Sequence, residues 1–363
     1  MQVGSPRGGC LSPATRALRA GGYGPGFTPT VNTIESVEFA SLGNAADFGD
    51  LTSNREGPMG LSSETRGIAA AGWSRPNSAN IREIDYVTIA VAANSIDFGD
   101  LITPTNYGAG AASPTRGLLI AGNIPAPGDM YNRIEFITIA TTGNAQDFGD
   151  VGYERCNSGA VSNQTRLVYS GGESPSSPYP QLNNIEFITF ASTGNGTDFG
   201  DQVDTVNSPY GVSSPTRGVF MGGSGATPVI QKIEISTTGN SVLFGDLTSA
   251  LYNVRGTITN GHRGVIAGGV ISPTGRVNNI EYITIQSGGQ SIDFGDLTDA
   301  RDPSNLSSMT RGVMLSGDYP ANVNIMDFIE IMTTGNAVDF GDCNKSAASS
   351  TASNGHGGLA DAM

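Results

Sequence analysis

Asp47-Phe48-Gly49-Asp50 contains a tripeptide whose aspartate can hold magnesium during phosphoryl transfer. The tetrapeptide recurs intact at Asp97–Asp100, Asp147–Asp150, Asp198–Asp201, Asp293–Asp296 and Asp339–Asp342, and once altered, as Leu243-Phe244-Gly245-Asp246. Seven copies, with no His-Arg-Asp loop and no Gly-rich phosphate loop ahead of a Lys-bearing strand, exclude that chemistry. The expected roles are structural. Phe48 and its counterparts wedge between repeated units, Gly49 makes a bend, and Asp50 bonds turn amides.

Two further sets of charged residues repeat with the motif. Arg16, Arg66, Arg116, Arg166, Arg217, Arg263 and Arg311 follow a short turn in each unit. They nearly match in number the first motif acids, Asp47, Asp97, Asp147, Asp198, Asp293 and Asp339, which invites pairing. A guanidinium held by carboxylate and carbonyl oxygens would lock one repeat to the next. The alternative is a ring of exposed Arg that binds an anionic ligand. The other set, Glu35, Asp85, Glu135, Glu186, Glu234, Glu281 and Asp327, opens the longest strand of each unit. Calcium needs several oxygens converging on one site. No calcium-loop spacing is present, so these acids are expected to be solvated strand-end carboxylates, with no metal site and no cofactor.

Catalytic supply is poor. His262 and His356 are the only histidines, and no nucleophile–base–acid set is recognisable, so a non-enzyme is expected. Cys10, Cys156 and Cys343 have no Cys-x-x-Cys spacing and cannot all pair, which points to free thiols.

The elements that must position these residues follow from the spacing. Successive motifs lie 45 to 51 residues apart through almost the whole chain. A period of that size means supersecondary units that cannot bury an apolar face alone. Each unit has a Ser/Gly-rich stretch, the Arg, a short apolar run and a Gly six residues after the Arg, as at Gly22, Gly72 and Gly122. A variable segment follows, then a strand with apolar residues on both faces, such as Ile134–Ala140, a turn like Thr142-Gly143-Asn144, and the motif. Four short strands per unit and no helical period describe an all-β, seven-bladed β-propeller with four antiparallel strands per blade. It should span residues 1–342. Residues 343–363 form a low-complexity tail or a partial eighth repeat, since Gly355-His356-Gly357-Gly358-Leu359 echoes Gly261-His262-Arg263-Gly264-Val265.

A strand ending in Gly-Gly (Gly171-Gly172, Gly222-Gly223, Gly268-Gly269) at this period resembles kelch repeats. The Trp and Tyr typical of a kelch blade are missing at their usual places, and Asp-Phe-Gly-Asp stands at the blade end instead. In that respect the units look more like the repeat proteins predicted from marine phage genomes. The kelch resemblance also implies a comparison with galactose oxidase-type enzymes, whose copper ligand set of His and Tyr beside a modified Cys is not matched.

Composition narrows the partners. The net charge is −14, the seven motifs alone carry thirteen Asp, and Lys232 and Lys345 are the only lysines. Phosphate contacts need clustered Lys and Arg, so nucleic acid is excluded. No apolar run reaches the ~18 residues of a membrane helix, and Met1 to Gly9 lacks a signal-peptide core, so neither membrane insertion nor ordinary secretion is expected. The variable segments join the second and third strands and so share one face. They hold Tyr23, Phe27, Trp73, Tyr131, Tyr179 and Tyr319, the candidate binding residues. The expected function is a non-catalytic binding or structural module of a phage virion (fibre, tail or capsid decoration), contacting a host surface glycan or another virion protein. The alternative is a carbohydrate-active enzyme on the same fold, which needs two carboxylates about 5–10 Å apart. An intracellular kelch-type adaptor is a third reading, weakened by the lack of an accompanying domain.

Overall fold

Runs such as Glu83–Thr88 and Met130–Thr138 combine β-branched and aromatic residues and form the third strand of a four-stranded sheet. The computed structural model describes residues 9–11, 15–23, 30–106, 108–123, 130–175, 180–223, 227–252, 254, 256–317 and 323–344. They form seven antiparallel sheets of four strands, spanning 9–50, 59–100, 109–150, 159–201, 210–246, 258–296 and 304–342. In each sheet the strands lie side by side in chain order. The protein is a seven-bladed β-propeller, as its period requires.

Blade 2 shows the pattern, with strands Met59–Ser62, Arg66–Ala70, Glu83–Thr88 and Ile96–Asp100. First strands line the axis: Met59–Ser62 touches both Gly9–Leu11 and Ala109–Ala112. Between blades lie apolar layers. Leu18, Ile34, Phe48 and Leu51 of blade 1 meet Ala69, Val87 and Ile89 of blade 2. This explains why the third strand is apolar on both faces: each blade is covered on both sides.

The ring closes in the same way. Ala17, Val37 and Phe39 of blade 1 pack on Leu306, Val313 and Phe340 of blade 7. Among the described residues, blade 1 takes all four of its strands from residues 9–50, and packing and hydrogen bonds join it to blade 7. The proposed tail or eighth repeat, from residue 345 onward, lies outside the described residues.

Strand direction alternates, so connections emerge at two ends. The turns between first and second and between third and fourth strands form one end, the turn face. The variable segments and the connectors from one blade to the next form the other, the loop face. Two variable segments carry short hairpins, Trp73–Ser74 with Ala79–Asn80 and Val270–Ile271 with Gly275–Arg276.

Candidate functional site

The repeated motif is built into the blade junctions. A bulge between Asp97 and Gly99 turns Phe98 inward, where it is 3% exposed and packs edge-on against Tyr86 at 5.9 Å. The turn of the next blade then clasps the outer strand. Gly143 N–H donates to Phe98 O at 2.7 Å, Ala145 N–H to Asp100 O at 2.9 Å, and Asp100 N–H to Asn144 Oδ1 at 3.1 Å. The clasp recurs around the ring and closes it, with Gly43 N–H on Phe340 O and Ala45 N–H on Asp342 O, both 2.8 Å. Glycine is required here: at Gly149, with φ 146°, a Cβ would stand 2.4 Å from Gly194 O. Where the motif departs, at Leu243, the clasping turn carries Gln290 in place of Asn. The main-chain bonds Gly289 N to Phe244 O (3.1 Å) and Ser291 N to Asp246 O (2.9 Å) persist. The clasp also occupies main-chain groups that an outer strand would otherwise offer to another chain.

The expected use of the motif acids needs correction. Asp50 and its counterparts join the turn through their main chain, not their carboxylates. The first acids, Asp47, Asp97, Asp147, Asp198, Asp293 and Asp339, are exposed on the rim and do not hold the repeated Arg. Each half-buried Arg instead reaches a main-chain carbonyl of the following blade. Arg16 donates to Ile89 O (2.9 Å), Arg66 to Ile139 O (2.9 Å) and Arg116 to Phe190 O (2.7 Å). Arg166 donates to Ile235 O (3.2 Å), Arg217 to Ile285 O (3.2 Å), Arg263 to Ile331 O (3.0 Å) and Arg311 to Phe39 O (2.8 Å). Five of these guanidinium groups also stack on the third-strand aromatic, as Arg116 does on Phe136 at 4.6 Å. Arg16, Arg217 and Arg311 add ion pairs to Glu38, Glu234 and Glu330 on the surface. The Arg therefore locks repeat to repeat through a carbonyl, while the ring it stacks on belongs to its own blade.

The third set of acids is not solvated. Glu35, Asp85, Glu135, Glu186, Glu281 and Asp327 are all buried, and the seventh equivalent is Gln231 rather than Glu234, because Gln231 pairs with Leu243 as Glu135 does with Asp147. From beneath the loop face all of these side chains except Glu35 hold the connector leaving the preceding blade. Asp85 accepts Thr52 N–H (2.9 Å), Thr52 Oγ1 (2.7 Å) and Arg55 Nη2 (3.0 Å). Asp327 repeats this with Thr298 N–H (3.1 Å), Thr298 Oγ1 (2.7 Å) and Arg301 Nη2 (2.8 Å). Glu186 accepts Gly152 N–H and the Tyr169 hydroxyl, 3.7 Å from Arg155. Burial pushes the Arg55 and Arg155 pKa values down, opposed by Asp85 and Glu186. Arg55, Arg155 and Arg301 escaped the sequence reading because they recur in only three connectors.

Of the six candidate loop aromatics, Phe27, Tyr179 and Tyr319 lie outside the described residues, as does the side chain of Tyr23. Trp73 is half-buried and opens a hairpin, exchanging main-chain bonds with Glu56 at 2.7 and 2.9 Å. Tyr131 is also half-buried rather than projecting. Burial raises its pKa, and its hydroxyl bonds Thr105. The loop face carries other exposed apolar side chains, which lie on the inter-blade connectors rather than in the variable segments. Ile102 is 45% exposed, Tyr153 49% and Val203 49%, on the connectors leaving blades 2, 3 and 4. A signal existed: Ile102 and Val203 stand where other connectors have Thr52, Thr248 and Thr298.

Three acids of this face have partners. Arg75 stands 3.8 Å from buried Glu56, Arg276 stands 3.5 Å from buried Asp302, and Glu173 accepts bonds from Asn157 (3.2 Å) and Asn207 (2.8 Å). Burial, with Glu173 nearby, pushes the Cys156 thiol pKa up, which keeps it protonated and weakly nucleophilic. His262 is exposed on the turn face, away from these groups. Among the described residues, no three His, Cys, Asp or Glu converge to hold a metal ion.

Fold and faces together define a seven-bladed propeller with a constant turn face and a variable loop face. No protein-family profile matches the sequence, and no curated protein matches it. Among solved structures, one described as "Structure of YjhT" is similar with a TM-score of 0.60 at 10% identity, over 80% of this chain and 97% of that one. At that identity the likeness speaks for the propeller fold.

Proposed function

We propose that this propeller is a kelch-like, non-catalytic binding or structural module that works through its loop face. The observation that carries this reading is the division of labour between the two ends. Main-chain clasps hold the turn face constant, while the loop face varies in length and sequence and exposes Ile102, Tyr153 and Val203 beside half-buried Trp73. Aromatic faces stack on sugars and fill protein pockets. Glu56, Glu173 and Asp302, being already paired, are not free to serve as the carboxylic acid and free carboxylate that glycosidic chemistry needs. The resemblance of the repeat to phage-encoded units favours a virion component, with a host glycan or another virion protein as partner. Mass spectrometry of purified particles tests the location, and the chain is expected among the virion proteins. Glycan-array binding and pull-down from disassembled particles test the partner. Loss of signal in Trp73→Ala and Tyr153→Ala, with folding intact, is the expected result. Unchanged binding in both variants would move the site to another face.

A further inference from the structure

The buried acids beneath the loop face differ in what meets them, and the junction between blades 2 and 3 is the least furnished. There Ile102 replaces the threonine that offers a hydroxyl to Asp85, Glu281 and Asp327, and Thr105 replaces Arg55, Arg155 and Arg301. Leu119 lies across the blade from Glu135, where Tyr169 reaches Glu186. Glu135 is fully buried, its Oε2 accepts Ile102 N–H at 2.8 Å, and among the described residues its Oε1 has no hydrogen-bond partner. The junction between blades 4 and 5 avoids this difficulty with a neutral Gln231, bonded to Ser241 Oγ at 2.6 Å. At the closing junction Glu35 lies 3.5 Å from Arg19.

We propose that the ring opens first at the loop end of the junction between blades 2 and 3, and that ionisation of Glu135 loosens it. The turn end of the same junction keeps its clasp and the Arg66 bond to Ile139 O, so the two blades part about a hinge. Among the described residues, the charged and titratable groups facing Glu135 are few. Arg133 and Tyr131 come from its own strand and Asp147 from the outer strand, while the connector 101–106 contributes none. Arg133 directs Nη1 to Thr103 Oγ1 at 2.9 Å rather than to the carboxylate. Burial raises the Glu135 pKa above the usual carboxylate value, and Asp147 adds to the rise, against the amides of Ile102 and Thr103 and the charge of Arg133. The folded state thus holds this proton more tightly than the unfolded chain does. The junction is firmest below the ordinary carboxylate range and weakens as pH rises through the raised value.

Hydrogen exchange on the full chain between pH 5 and 8, corrected for the intrinsic pH dependence of exchange, reads this directly. The connector 101–106 is expected to show protection at least about tenfold lower at pH 8 than the equivalent connectors 51–56 and 297–302, with the gap closing toward pH 5. Glu135→Gln should remove the pH dependence. Ile102→Thr, at an exposed position, should restore a hydroxyl donor and narrow the gap whether or not the first variant folds. Equal protection of the three connectors at every pH, or a pH dependence that survives in Glu135→Gln, overturns the proposal.

Discussion

The bond from Gly143 N–H to Phe98 O and the cluster of Asp85, Thr52 and Arg55 each join two blades, at opposite ends of the ring. The first kind uses main-chain groups, so it repeats wherever the chain can bend, and it survives the change to Leu243 and Gln290. The second uses side chains, and it differs from junction to junction. A glycine-shaped clasp is insensitive to most substitutions around it, whereas a buried carboxylate depends on each partner it meets. A constant turn end leaves the loop end free to vary, which is what a binding scaffold needs.

The largest expected effect tests the side-chain end. Asp85→Ala leaves Arg55 buried without its carboxylate and should cost about 3–5 kcal/mol by denaturant unfolding. A loss near zero would show that Arg55 finds other acceptors and that the junction is not held by charge. Next comes the clasp. Gly149→Ala places a Cβ against Gly194 O and should cost about 2–4 kcal/mol. Gly143→Ala has a similar φ, 154°, but no atom within 4 Å of the new Cβ, so it should cost only the strain of about 1–2 kcal/mol. Equal losses at the two glycines would mean that close contact across the junction contributes nothing.

Arg116→Ala tests the bond that runs between neighbouring blades at the turn end. It removes a hydrogen bond to Phe190 O and a stack on Phe136, and a loss of about 1–3 kcal/mol is expected. Retention of the wild-type melting temperature would count against the Arg ring as a lock. The smallest effect on folding is expected at the loop face. Tyr153→Ala, which removes a ring 5.6 Å from the Arg155 guanidinium, should cost no more than about 1 kcal/mol. If the loop face is the binding surface, the same change weakens partner binding by about 1–2 kcal/mol in calorimetric titration. A large loss of stability would place Tyr153 in the scaffold instead.

The period of Asp-Phe-Gly-Asp made the seven blades legible, because equal units must meet equal neighbours and only a ring or a stack allows that. The inward Phe and the bending Gly could be read from residue type alone, since an aromatic wedge and a left-handed backbone are local demands. Partners were not legible in the same way. Arg116 suggested a carboxylate and found the carbonyl of Phe190, a group every residue carries and no sequence displays. Glu234 looked like the repeated acid because it follows an Ile, but strand register gives that place to Gln231. Glu135 read as a solvated strand end and lies fully buried, because burial depends on the connector of another blade folding over it. Periodicity and residue type, as properties of the chain, therefore determined the architecture. Which groups face one another across the junctions, and so which charges must be neutralised or protonated, was decided only when the blades packed, because those contacts join residues about thirty or more positions apart in the chain.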